Sequence, residues 1–317
     1  MALNPLQGGC FIHNDDHRVD GGSLLSRYSL KNKTAIVTGA AAGIGWAVAQ
    51  SLAELGANVV IWYNTNKKGP ERAKELEERY GIKCMLRTIL ESRKLRDWYT
   101  GRAYQVEVRD HAAVEKAIDE HVKEFNGRLD ILVANAGIPW TKGPMVDGPI
   151  DHYRDVVAID LDGTYFCARA AAKHWKRQKL EGTDLNGKKL VNYKAGSFVA
   201  TASMSGVIVN VPQLQAAYNA AKAGVIHLCK SLAVEWALYA RANSVSPGYI
   251  ITEISNFVPS ETKSLWKDRI PMGYDQNFVE VAVVTDEYLG AKASHTSCRA
   301  PSATWRATLP HTRQVRI

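Results

Sequence analysis

With 317 residues and a hydrophobic content of 46%, the chain is long enough to bury the core of one large α/β domain. No apolar run reaches 18 residues, which argues against a transmembrane helix. Its formal charge of +8 is carried by residues 85–102, net +3, and 291–317, net +5, so no basic face suited to nucleic acid is expected. The five cysteines are scattered, odd in number and without metal-ligand spacing, as in reduced thiols of a cytoplasmic protein with no metal site.

Residues 1–30 carry a mixture of charges and glycines with no apolar core, and are expected to form a disordered leader rather than a signal peptide. From Thr34 onward, short apolar runs alternate with helical periods. Strands are expected over 34–38, 58–62, 103–108, 129–134, 196–201 and near 242–245. Helices are expected over 44–55, 70–80, 111–125, 150–178 (one long helix or two) and 215–236. Continuous apolar strands separated by helices predict a parallel sheet covered on both faces. Right-handed crossovers then favour a single Rossmann-type, doubly wound sheet of order 3-2-1-4-5-6.

Between the first strand and the first helix runs Thr38-Gly39-Ala40-Ala41-Ala42-Gly43-Ile44-Gly45. Glycines there permit a tight turn and let backbone N–H groups reach a pyrophosphate at the helix N-terminus. At the end of the second strand, an acidic residue would accept from a ribose 2′-hydroxyl and repel a 2′-phosphate. Tyr63 holds that point instead, followed by Asn64, Thr65, Asn66, Lys67 and Lys68, which favours NADP(H) over NAD. The alternative reading of the two lysines is the start of a solvated helix.

Tyr218 and Lys222 lie at i and i+4 on one face of the fifth predicted helix. A free phenol has a pKa of about 10, and a fixed ammonium beside it favours the phenolate, bringing the group toward useful acid/base chemistry. Asn135-Ala136-Gly137 follows the fourth strand, Ser203-Met204-Ser205-Gly206 the fifth, and Pro247-Gly248-Tyr249-Ile250-Ile251-Thr252 the sixth. In this order and spacing the motifs resemble the short-chain dehydrogenase/reductase family over roughly residues 29–273. The segments 200–206, 210–215 and 246–250 are similar to its fungal NADP-dependent branch of mannitol 2-dehydrogenases, sorbose reductases and carbonyl reductases. Residues 64–68 resemble that branch's cofactor segment.

The resemblance implies an oxidoreductase exchanging a polyol or secondary alcohol with its ketose or ketone. Tyr218 would move the proton, Lys222 would tune it and hold the nicotinamide ribose, and a serine would bond the substrate oxygen. Counting back from Tyr218 gives Ser203 by the branch's spacing and Ser205 by that of the family at large; Ser203 is favoured, with Ser205 in reserve. Asp160 stands where the family has an asparagine, and a carboxylate cannot donate as an amide does. Gly39, Gly43, Ile44, Gly45, Asn64, Thr65, Lys67, Glu107, Val108, Asn135, Ile250 and Thr252, with Tyr218 and Lys222, would line the cofactor.

Two segments depart from the pattern. Residues 85–102 interrupt the link into the third strand, and residues 274–317 lack the seventh strand that the family carries. Both read either as translated intron or frame-shifted sequence, or as a genuine surface insertion. The expected organisation is a leader at 1–30, a catalytic domain at 31–273 with an insertion at 85–102, and a poorly ordered tail at 274–317. A family-like homo-oligomer is expected only if the altered C-terminus permits it. The competing expectation is an NADP-binding protein without catalysis.

Overall fold

The computed structural model describes residues 6–7, 10–11, 28–82, 84–85, 103–250 and 252–269. The sheet begins with β1 (Thr34–Val37) and β2 (Asn58–Tyr63), followed by β3 (Cys84–Met85) and β4 (Ala103–Gln105). It is completed by β5 (Ile131–Ala134), β6 (Gly196–Thr201) and β7 (Ala240–Val245). All pairings in this sheet are parallel, and β3 and β4 both add to the same edge of β2. Counting β3 and β4 as one strand, the order is 3-2-1-4-5-6, as expected from the apolar runs. A separate two-residue antiparallel ladder pairs Leu6–Gln7 with Cys10–Phe11.

The register explains the interruption. Val60 pairs with Met85 and the next residue, Ile61, pairs with Ala103. Met85 and Ala103, eighteen positions apart in sequence, thus stand at adjacent ladder positions along the same edge of β2. Residues 86–102 and the tail from 270 onward lie outside the described part of the chain. Leu30, at the end of the expected leader, is buried, and its backbone N–H donates to Leu55 O at 2.8 Å.

Helices α1 (Gly43–Glu54), α2 (Gly69–Tyr80), α3 (His111–Phe125), α4 (Ile150–Val157), α5 (Gly163–Glu181), α6 (Ala216–Glu235) and α7 (Ser260–Arg269) complete the domain. Strand alternation divides the core in two. Ile36, Val60 and Leu132 face one layer with Ile118 of α3, Trp175 of α5 and Val225 of α6. Val37, Val59 and Ile61 face the other with Leu52 of α1 and Leu76 of α2. The helical stretch expected over 150–178 as one helix or two consists of α4, a π-helical turn at Ala158–Asp162, and α5. Such turns often mark functional sites because the extra residue redirects side chains.

At the N-terminal end of the sheet, Asp130 accepts from Thr34 N at 2.9 Å and from Arg128 Nε at 2.8 Å, tying β1 to β5. The opposite, C-terminal ends of β1, β2, β5, β6 and β7 carry the loops singled out above, around the point where strand order reverses. Cys167 and Cys229 are free and buried, and burial pushes both thiols up to about 12. No helix among the described residues is long and apolar enough to cross a membrane.

Candidate active site

Tyr218 and Lys222 project from α6 one turn apart, Tyr218 half-buried and Lys222 buried. Lys222 Nζ donates to Thr201 O, at the end of β6, at 2.9 Å. It also lies 5.5 Å from the centre of the Tyr218 ring. The ammonium is thus fixed beneath the phenol by the sheet rather than left to solvent.

Asp160 comes to the same place from the π-helical turn. Its Oδ1 accepts from Ile138 N at 2.8 Å, and its Oδ2 makes no hydrogen bond and faces Lys222 Nζ at 3.5 Å. Burial pushes the Asp160 carboxyl above the usual carboxylate range, against the pull of Lys222. Burial alone would lower Lys222, but the facing Asp160 and Tyr218 more than offset it and leave the ammonium above the ordinary lysine range. Gly137 keeps this space open: a Cβ there would stand 3.2 Å from Asp160 Oδ1 and 3.3 Å from Lys222 Nζ.

Ser203 precedes a single 3₁₀ turn, Met204–Gly206, and accepts from Ser205 N at 3.1 Å. Its hydroxyl donates to Ser205 Oγ at 3.1 Å. Ser205 Oγ also accepts from Gln215 Nε2 at 3.0 Å, so both its acceptor positions are taken. Gln215 in turn donates to Asn210 Oδ1 at 2.9 Å, and Asn210 Nδ2 to the Tyr249 hydroxyl at 2.9 Å. Ser205 is therefore an interior link and Ser203 the end of the chain. Gly206 lets the turn lie against α6, since a Cβ there would come within 2.7 Å of the Lys222 carbonyl carbon.

In the glycine loop, Gly39 and Gly43 adopt φ of 63° and 56°, a region that side chains disfavour. A Cβ on Gly45 would stand 2.5 Å from both Asn135 Nδ2 and Gly39 O. Asn135 donates to Thr38 O at 3.1 Å and Gly39 O at 3.3 Å, and accepts from Thr201 Oγ1 at 3.1 Å. It braces the loop against β6. Ala42, preceding α1, provides no side-chain cap, so the first-turn N–H groups, Ile44 included, have no capping side chain. Uncapped N–H groups beside two left-handed glycines fit a pyrophosphate.

Beyond β2, Asn64, Thr65 and Lys67 are exposed, and Lys67 makes no ion pair among the described residues. Asn64 Nδ2 donates to Glu107 Oε2 at 3.0 Å. Glu107 also takes Arg109 Nη2 at 2.9 Å, and that guanidinium holds its carboxyl below the usual range. Val108 is buried against Gly163 at the start of α5. Ile250 is half-buried, while the Thr252 side chain is 3.3 Å from where a Gly43 Cβ would stand.

The structure thus brings Asp160, Ser203, Ser205, Tyr218 and Lys222 to one group of loop ends, with Asn135 behind them. Sequence reasoning missed Gln215 and Asn210. Gln215 stands one turn before Tyr218, which is the signal that could have found it.

A family model described as enoyl-(acyl carrier protein) reductase matches residues 39–286, running past residue 273, where the resemblance was expected to end. L-xylulose reductase of Hypocrea jecorina is 55% identical over 268 residues, covering 84% of this chain and 87% of that protein. A probable NADP-dependent mannitol dehydrogenase of Yarrowia lipolytica is 45% identical over 261 residues, covering 82% of each. Among solved structures, the NADPH-dependent 3-quinuclidinone reductase of Rhodotorula rubra aligns with a TM-score of 0.66 and 33% identity, over 79% of this chain and 82% of that one. The chain belongs to the short-chain dehydrogenase/reductase family.

Proposed function

We propose that this chain is an NADP(H)-dependent oxidoreductase that interconverts a polyol or secondary alcohol with its ketose or ketone. The observation that carries the reading is Tyr218 one helical turn from Lys222, whose Nζ is held by Thr201 O at 2.9 Å and faced by Asp160 at 3.5 Å. The names of the relatives, an L-xylulose reductase and an NADP-dependent mannitol dehydrogenase, support the substrate class and the cofactor.

When bound, the nicotinamide supplies or accepts the hydride. In the reducing direction Tyr218 gives its hydroxyl proton to the carbonyl oxygen as that oxygen gains charge. The Lys222 ammonium stabilises the negative charge left on the phenol. Ser203 donates to the same substrate oxygen, exchanging its bond to Ser205 for one to substrate, while Ser205 stays tied to Gln215. Asp160 acts on Lys222 and not on substrate: it keeps the ammonium charged in a buried position. Gly39, Gly43 and Gly45 shape the pyrophosphate cradle, and Asn64, Thr65, Lys67 and Lys68 supply donors and charge for a 2′-phosphate.

The test is NADPH consumption by the full chain with fructose, sorbose, xylulose and a simple aryl ketone. Oxidation of NADPH with at least one ketose or ketone is expected. NADPH binding without turnover on any of them favours the competing reading, a cofactor-binding protein without catalysis.

A further inference from the structure

The two lips of the nucleotide cleft are joined by one side chain. Thr252 and Ser255 form a capping box at the start of the 3₁₀ turn Glu253–Ser255, with Ser255 Oγ donating to Thr252 O at 2.8 Å. The turn fixes the backbone of Glu253 beside the glycine loop, because the neighbouring Thr252 packs against Gly43. From there the Glu253 carboxylate reaches across to the segment after β2. Oε1 accepts from Lys68 Nζ at 3.0 Å, and Oε2 lies 3.5 Å from Asn66 Nδ2, the outer limit of a hydrogen bond. Asn66 Oδ1 also accepts from Lys68 N at 3.0 Å, so the two donors belong to one preformed turn. Both ionic partners are about half exposed, with side-chain exposures of 52% and 56%.

We propose that Glu253 tempers the cofactor preference: it is an internal anion that occupies Lys68 and Asn66 until a 2′-phosphate displaces it, and so weakens NADPH but not NADH. The inference rests on the reading that residues 64–68 take that phosphate. A carboxylate carries one charge on two oxygens. A phosphate monoester carries about 1.5 to 2 charges on three oxygens and outcompetes it for the same ammonium. A cofactor ending in a 2′-hydroxyl brings no charge and leaves the Lys68–Glu253 pair in place. An exposed ion pair is worth little, so the carboxylate weakens NADPH binding modestly rather than blocking it.

The experiment is equilibrium fluorescence titration of the full chain with NADPH and NADH at low salt, for wild type, Glu253→Gln, Lys68→Met and the double variant. Glu253→Gln is expected to tighten NADPH by about two- to fivefold, the range an exposed pair allows, and to leave NADH unchanged. The gain is expected to vanish in the Lys68→Met background. A Glu253→Gln variant that binds NADPH no better than wild type, gains equally for NADH, or keeps its gain without Lys68 overturns the proposal. A Lys68→Met variant with the wild-type preference for NADPH over NADH overturns the proposal alone, because Lys67 remains; the phosphate reading of residues 64–68 falls only if a Lys67→Met/Lys68→Met variant keeps that preference too.

Discussion

Asp160 Oδ2 faces Lys222 Nζ at 3.5 Å in a site where both side chains are buried, and it has no other partner there. An asparagine at this position would keep the acceptor for Ile138 N and lose the charge. Asp160→Asn therefore leaves a buried ammonium with only Thr201 O and Tyr218 beside it. The expected cost is about 3 kcal/mol of stability, the scale for breaking a buried pair by removing one partner. The sign on pH follows from Lys222, whose pKa is raised in the folded chain. Its stabilising contribution is complete below the ordinary lysine value and is lost as pH rises through the folded one. In Asp160→Asn this loss begins at lower pH, so the alkaline limb of the kcat profile moves down. An alkaline limb that does not move would show that Asp160 does not sustain the Lys222 charge.

Ser203 and Ser205 differ in their bonding, since Gln215 holds Ser205 and not Ser203. Ser203→Ala is expected to lower kcat by about 10²–10³, as for loss of one donor to a developing oxyanion. Ser205→Ala removes the link to Gln215 but leaves the Ser203 hydroxyl, and a smaller loss of kcat is expected. Steady-state kinetics on both variants decide the assignment, and a reversed order would transfer the role to Ser205.

Gly206→Ala tests the close approach of the serine turn to α6. The added methyl would meet the Lys222 carbonyl carbon at 2.7 Å and Ala223 N at 2.8 Å, both main-chain atoms of a helix. We expect a loss of roughly 1–3 kcal/mol in denaturant unfolding, the usual cost of overpacking. The fall in kcat/KM should exceed the change in NADPH affinity, because the turn carries Ser203.

Glu107, held by Arg109 and Asn64, supplies a second pH prediction. Arg109 lowers its carboxyl in the folded chain, so the stabilisation exists above the ordinary glutamate value and disappears as pH falls through the folded one. With the side chain 34% exposed, the contribution is under about 1 kcal/mol. The stability difference between wild type and Glu107→Gln, followed by denaturation from pH 7 to pH 3, should shrink to nothing on the acid side. A difference that grows toward acid pH would contradict the pairing.

The sheet was legible because its strands are short apolar runs bounded by glycine or polar residues, as at Thr34–Val37 and Ile131–Ala134. Tyr218 and Lys222 were legible because a helix places i and i+4 together. The π-helical turn at Ala158–Asp162 was not, since its apolar pattern runs on as one long helix and only tertiary packing shows the extra residue. Glu253 was hidden for another reason: its partners are 185 and 187 positions away, and no local pattern encodes a contact across a cleft. The serines could not be ordered by spacing, because their difference lies in Gln215, whose reach to Ser205 depends on the folded turn.

The most direct test of the account is turnover by Tyr218→Phe, measured beside wild type on a ketose that wild type reduces, with NADPH binding recorded on the same samples. Phenylalanine keeps the ring above Lys222 and removes the hydroxyl, and with it the proton to be transferred. The account predicts NADPH affinity within a few-fold of wild type and a loss of kcat of at least about 10², the scale of general acid catalysis. A Tyr218→Phe enzyme with near-wild-type turnover would contradict it.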